Sequence, residues 1–209
     1  PSGSAAAGCL DEIEAAAGRA SQLCRLMLVY AGKGGVAARR VDLNALLTES
    51  LPLLRSARPS SALQLELGPG LPPIHGDPSQ LQQIILNLVL NAGDAADITI
   101  RTRSVHVDLG ALQGYFLGAE MDAGDHVELL VRDDGPGMTR EVLAHIFEPF
   151  FATGSGDRGR GLAATLGLVR AHRGAIRVET DPGRGTSFEL LLPRAHSPLP
   201  AVERARTPA

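Results

Sequence analysis

The apolar positions of this chain change period several times, and each change marks an element. From residue 9 to 31, Ile13, Ala16, Ala20, Leu23, Met27 and Tyr30 step by three and four in alternation, a heptad-like seam that predicts a helix packed on a partner helix, a second chain or its own domain. Gly32, Gly34 and Gly35 end it. Asp42 then caps a predicted helix over residues 43–56, with Pro52 marking a kink or break. Ala62 to Leu67 alternates as a strand, residues 68–73 form a Gly/Pro loop, and Asp77-Pro78 opens a long helix, with Asp77 as its cap. Ile98 to Val107 and Val127 to Asp133 read as strands with a loop between them. A short helix over Arg140 to His145, a glycine-rich loop over residues 147–160 and a helix from Gly161 to His172 follow. Two strands close the pattern, Ala175 to Thr180 and Thr186 to Leu192, joined by Asp181-Pro182-Gly183-Arg184-Gly185. Runs of strands separated by single helices predict an α/β chain of the α+β kind: a two-layer sandwich with a mixed sheet and helices on one face. The parts are a helical segment over 1–40, the α/β domain over 41–193, and a Pro-, Ala- and Arg-rich tail over 194–209 that should be disordered.

Two segments carry polar residues where periodicity does not ask for them. On the helix from Ser79 to Ala96, Leu81, Ile84, Ile85, Leu88, Ala92 and Ala95 form the face that meets the sheet. Asn87, Asn91 and Asp94 form a second stripe, about 100° round the axis. Asn is a poor helix former, and two of them one turn apart in mid-helix call for a reason. Amide oxygens suit Mg²⁺, which takes hard oxygen ligands and keeps waters and phosphates in its shell; solvated surface is the alternative. In the strand, Val127, Leu129 and Val131 share one face, and Asp133 continues that alternation while Asp134 points away. A carboxylate on the apolar side is costly without donors. The adenine amino group is such a donor, and guanine has a carbonyl there, so Asp133 would select A over G. The alternative for Asp133-Asp134-Gly135-Pro136-Gly137 is a turn cap.

Composition narrows the classes. The 209 residues are 44% hydrophobic but only 3% aromatic, so the core is built from Leu, Val, Ile and Ala. A net charge of −3 gives no general attraction to nucleic acid or to an anionic membrane surface. Cys9 and Cys24 have no metal-ligand spacing and make no disulfide framework, which points to reduced thiols in the cytoplasm. No apolar run approaches the roughly 18 residues of a membrane span. Ala31-Gly32-Lys33-Gly34-Gly35 ends a helix instead of following a strand and lacks the spacing of a phosphate loop.

Taken in order, these segments resemble the boxes of the GHKL superfamily, which comprises gyrase-type, mismatch-repair and heat-shock chaperone ATPases and the sensor histidine kinases. Leu86 to Ala95 is similar to the N box, and Asp133-Asp134-Gly135-Pro136-Gly137 to the Asp-x-Gly-x-Gly box. Ile146-Phe147-Glu148-Pro149-Phe150-Phe151-Ala152-Thr153 resembles the F box of the histidine kinases, residues 161–169 the helix after their second glycine box, and residues 183–188 their closing hairpin. The resemblance implies ATP and Mg²⁺ as cofactors. It implies Asn91 as the Mg²⁺ ligand with Asn87 and Asp94 beside it, and Asp133 on adenine with help from Thr186. It implies Gly135 and Gly137 shaping the base pocket, and Gly159, Gly161 and Leu162 offering backbone amides to phosphate. Phe147, Phe150 and Phe151 would anchor a mobile lid. In hydrolysing relatives the position of Asn87 typically carries a Glu that activates water, and an amide cannot accept that proton. The resemblance therefore implies a protein histidine kinase of a two-component system, with a response-regulator receiver domain as partner and a homodimer formed through the N-terminal helices. It implies a cytoplasmic segment, alone or as part of a membrane-anchored sensor.

The chain departs from this pattern in two places. His75, His106, His126, His145, His172 and His196 all lie in or beside the catalytic domain. None has the family's His-plus-acid context, so each is read as a surface or capping residue. No catalytic phosphoacceptor is assigned in this chain, which should bind nucleotide without autophosphorylating. Asp157 aligns with the first glycine of the second glycine box, and Arg160 with its intervening Leu. These departures motivate an alternative: a degenerate kinase-like module used for binding or dimerisation without turnover.

Overall fold

The computed structural model describes residues 38–92, 96–148, 151 and 160–195. The expected N-terminal helix, together with Asp94, Phe150, Gly159 and the tail beyond Ala195, lies outside the described residues.

Five strands make the main sheet in the order β2-β4-β5-β7-β6, where β2 is Leu63–Leu67, β4 Ile98–Val107, β5 Gly124–Asp133, β6 Ala175–Thr180 and β7 Thr186–Pro193. β2 runs parallel to β4 and every other pair is antiparallel, so the sheet is mixed. β5 lies at its centre, paired from Gly124↔Val107 to Asp133↔Ile98 on one side and from His126↔Pro193 to Asp133↔Thr186 on the other. β5 starts three residues before the apolar alternation does, because Gly124, Asp125 and His126 hide the pairing from any hydrophobic pattern. A separate two-stranded ladder, β1 (Arg39–Val41) with β3 (Ile74–Gly76), was not expected. Strands of three residues are too short to show a period.

Three helices cover one face. Helix α1 (Leu43–Ala57) is capped by the Asp42 carboxylate, which accepts the Ala45 N–H at 3.1 Å. Pro52 does not break it. The carbonyl that Pro52 leaves without an intrahelical donor belongs to Thr48, which is exposed and open to water. Helix α2 (Pro78–Asn91) starts at the Asp77 cap and buries Leu81, Ile84, Ile85, Leu88 and Val89. It ends five residues earlier than the pattern suggests, because Ala92 leaves the helix at φ −59°, ψ 149°. Skipping the four-residue helix α3 (Leu109–Leu112) and the short α4 (Arg140–His145), the last is α5 (Arg160–Ala171). Together with Leu43, Leu47, Leu54, Phe188 and Leu190, these residues form one apolar core, as the two-layer expectation requires.

The other face is not bare. After Val107, where the sequence suggests only a loop, α3 and a 3₁₀ turn at Gly118–Glu120 fold back over the sheet. Leu112 and Met121 pack there with Val107, Ala175 and Leu191 as a second apolar cluster. Beside it runs a charged row in which Arg103 donates to both oxygens of Glu128 at 2.7 and 2.6 Å, and Arg177 and Tyr115 both donate to Glu189. The fold also extends past its expected end. Arg194 bridges to Ile74, and the Ala195 N–H donates to the Pro73 carbonyl at 2.7 Å. Among the described residues no helix is long and apolar enough to cross a membrane.

Candidate functional site

Asp133 is the last residue of β5 and is only 6% exposed. Its carboxylate accepts the Gly135 N–H at 2.9 Å, the local cap that the sequence offers as the plain reading of this motif. Burial pushes its pKa up, while the backbone N–H groups of Gly135 and Thr186 pull it down. Asp134 points the other way, as the alternation requires, and accepts the Asp97 N–H at 2.8 Å. Thr186 is buried and sits opposite Asp133 in the β5–β7 ladder.

The turn after Asp133 is fastened to the β6–β7 hairpin. The Gly183 N–H donates to the Pro136 carbonyl at 2.7 Å, and the Met138 N–H donates to the Thr180 hydroxyl at 2.9 Å. Thr180 also meets Thr186, hydroxyl to hydroxyl, at 3.1 Å. Gly137 has φ +65°, and a Cβ there would lie 2.0 Å from the Asp181 carbonyl oxygen. Gly185 has φ +82°, and its Cβ would lie 2.0 Å from the carbonyl oxygen of Asp133 itself. Both glycines are needed because two turns touch backbone to backbone. For Gly137 the sequence supplied the residue, but the structure shows a backbone neighbour as its first requirement.

Helices α2 and α5 pack side by side and antiparallel. At one end the His172 Nε2 accepts the Asp77 N–H at 3.2 Å; further along, the Asn87 Nδ2 donates to the Thr165 hydroxyl at 3.2 Å. This register brings the first turn of α5, with Gly161 and Leu162, beside the last turn of α2, with Asn91. N–H groups of a first helical turn lack intrahelical partners and favour anions. The Leu162 side chain lies in the core, so only its backbone can face a ligand. Asn91 is half-buried, whereas Asn87 is 8% exposed and its oxygen accepts from Gln83 Nε2 at 2.7 Å. The two amides therefore stand in different surroundings. Among the described residues no group of three or more His, Cys, Asp or Glu could hold a metal ion. The donor set fits a hard cation that takes an amide oxygen and completes its shell with phosphate and water.

The aromatic residues expected to anchor a lid attach separately. Phe147 packs against the core and meets Phe116 edge to face, 4.9 Å between centroids at 68°. Phe151 lies beside the His145 ring at 5.5 Å. The sequence reading missed Phe116, which comes from the unexpected cover over the sheet, and also Thr165 and Thr180. A Thr at a core-facing helical position was the available signal for Thr165. His172 and His126 are buried, at 5% each, and are not surface residues. His172 donates from Nδ1 to the Leu168 carbonyl at 2.8 Å, and burial holds its pKa below the usual value.

The chain is similar to known proteins in sequence and in fold. Residues 76–196 match the family described as "Histidine kinase-, DNA gyrase B-, and HSP90-like ATPase". The sensor kinase CckA of Brucella abortus (strain 2308) is 32% identical over 185 residues, covering 85% of this chain and 19% of that protein. The sensor histidine kinase ZraS of Klebsiella oxytoca is 38% identical over 156 residues, covering 73% of this chain and 31% of the relative. The chain thus spans a third or less of these relatives. The Acinetobacter baumannii histidine kinase AdeS superposes with a TM-score of 0.71 at 18% identity over 94% of this chain and 87% of that one, which speaks for the fold. With its matched segment exceeding half of the chain, and with sensor kinases as its relatives, the protein belongs to the histidine kinase-, DNA gyrase B- and HSP90-like ATPase family as a GHKL domain of the sensor-histidine-kinase type.

Proposed function

We propose that this chain binds Mg²⁺-ATP and serves as the catalytic part of a two-component sensor histidine kinase. It would donate the γ-phosphoryl to a His outside the chain, for relay to an Asp of a response-regulator receiver domain. One observation carries the reading: a carboxylate buried at the tip of the central strand, where the turn after it is fastened to the β6–β7 hairpin. Asp133 would accept the adenine amino group, with Thr186 beside it and Gly135 and Gly137 shaping the turn. Gly159, Gly161 and Leu162 would offer amides to the phosphates, and Asn91 would hold the cation, with Asn87 and Asp94 in the same stripe. The cation, when bound, supplies charge neutralisation on the phosphoryl oxygens. The protein's own share is positioning. Asn87 supports transfer over hydrolysis, since an amide is no general base. Phe147, Phe150 and Phe151 would anchor the lid. Dimerisation through the N-terminal helices and a cytoplasmic location belong to the same reading.

Calorimetry with ATP and GTP in Mg²⁺ tests it. The wild-type chain binds ATP and discriminates against GTP, and Asp133→Asn narrows that discrimination, because its amide can donate to the guanine carbonyl. Equal binding of both nucleotides by the wild type would refute the assignment of Asp133. The second reading, a module without turnover, draws on Asp157 and Arg160 in the glycine box. It predicts no heat with millimolar ATP and Mg²⁺.

A further inference from the structure

We propose that Thr165 is a positioning residue that fixes the Asn87 amide and so couples the cation-holding helix α2 to the phosphate-facing helix α5. This rests on the nucleotide reading above and extends it to a residue to which that reading gives no role.

Thr165 is fully buried, and its helical neighbours Leu162, three residues before, and Val169, four after, are 1% and 0% exposed. An aliphatic side chain would suit that seam better, since a buried hydroxyl has to be satisfied. Its hydroxyl receives the Asn87 Nδ2 at 3.2 Å, while the Asn87 oxygen is held by Gln83 Nε2 at 2.7 Å. Both ends of the amide are therefore specified, with the nitrogen toward α5 and the oxygen toward the preceding turn of α2. Asn91 lies one helical turn beyond Asn87 on the same stripe. Thr165 lies little more than a turn inside α5, whose opening residues are Arg160 and Gly161. The hydroxyl–amide bond thus crosses the seam next to the two helix ends that would share one Mg²⁺-triphosphate. A shift of α5 against α2 changes the Asn87 orientation and the spacing between Asn91 and the α5 amides together.

The coupling predicts an effect specific to the cation. Thr165→Val keeps the shape and removes the hydroxyl. It should weaken ATP binding in Mg²⁺ by about three- to tenfold, the worth of one net hydrogen bond. ATP binding in EDTA should stay within about twofold of wild type, and Thr165→Ser should restore the Mg²⁺ value. In an Asn87→Ala background, Thr165→Val should have no further Mg²⁺-dependent effect. If Val at 165 unfolds the chain, Thr165→Ala serves as the second hydroxyl deletion, with the same Mg²⁺-specific loss expected. Equal losses with and without Mg²⁺ mean plain packing and overturn the proposal, as does an unchanged Mg²⁺ affinity. If the wild-type chain binds no ATP at all, the nucleotide reading fails and this inference with it. Wild-type binding with a silent Thr165→Val overturns this inference alone.

Discussion

The hairpin turn between β6 and β7 contains two glycines that look alike in sequence and should differ sharply on substitution. Gly183 and Gly185 both have left-handed φ, +78° and +82°. A Cβ at Gly183 meets nothing within 4 Å, whereas one at Gly185 lies 2.0 Å from the Asp133 carbonyl oxygen, 2.8 Å from its carbon and 2.9 Å from the Asp134 Cα. Gly183→Ala should therefore cost only the left-handed conformation, roughly 1–2 kcal/mol. Gly185→Ala carries the same conformational cost and must also push two strands apart by more than an ångström. Forced overpacking adds about 1–3 kcal/mol, for a total of roughly 2–5 kcal/mol, against a typical stability of about 5–15 kcal/mol. Urea unfolding measures both, with the midpoint shifting at an unchanged slope. Because the displaced atoms belong to Asp133, Gly185→Ala should also weaken ATP binding in material that remains folded. If the two alanine variants unfold within about 0.5 kcal/mol of each other, the backbone contact between the two turns is not what Gly185 provides.

Two further expectations concern pH. Burial raises the Asp133 pKa above 3.8, so its contribution to stability is present below that value and lost as pH rises through the folded pKa. Asp133→Asn should therefore melt higher than wild type at neutral pH, with the advantage fading toward pH 4 in a thermal series. Burial lowers the His172 pKa below 6.5, so its contribution is complete above that value and lost as pH falls through the folded pKa. His172→Gln should flatten the decline of melting temperature below pH 6.5.

Residues with long, regular patterns were legible in the sequence, and those whose roles depend on distant partners were not. β4 falls where its alternation places it, α4 keeps its expected bounds, and Asp133 faces the core because alternation in Val127, Leu129 and Val131 fixes its side. The cover over the far sheet face was invisible because Leu112, Phe116 and Met121 are too sparse for any period. Pro52 does not end α1, because the Thr48 carbonyl it leaves without a donor faces water, which propensity alone does not register. For the amides, sequence could place Asn87 and Asn91 on one stripe. Only packing against α5 separates them, burying one against Thr165 and leaving the other half-open at a helix end.

The central position of β5 has a consequence for biogenesis. Its tip is completed on one side by β4, made earlier in the chain, and on the other by β7, made near the end of the described fold. Such long-range pairing forms late, after slow loop closure. A nascent chain still lacking its final hairpin therefore has not completed the proposed nucleotide site, however much of α1, α2 and β4 has already assembled. Premature stops before Thr186 should yield products that have lost ligand recognition altogether, not weakened versions of it.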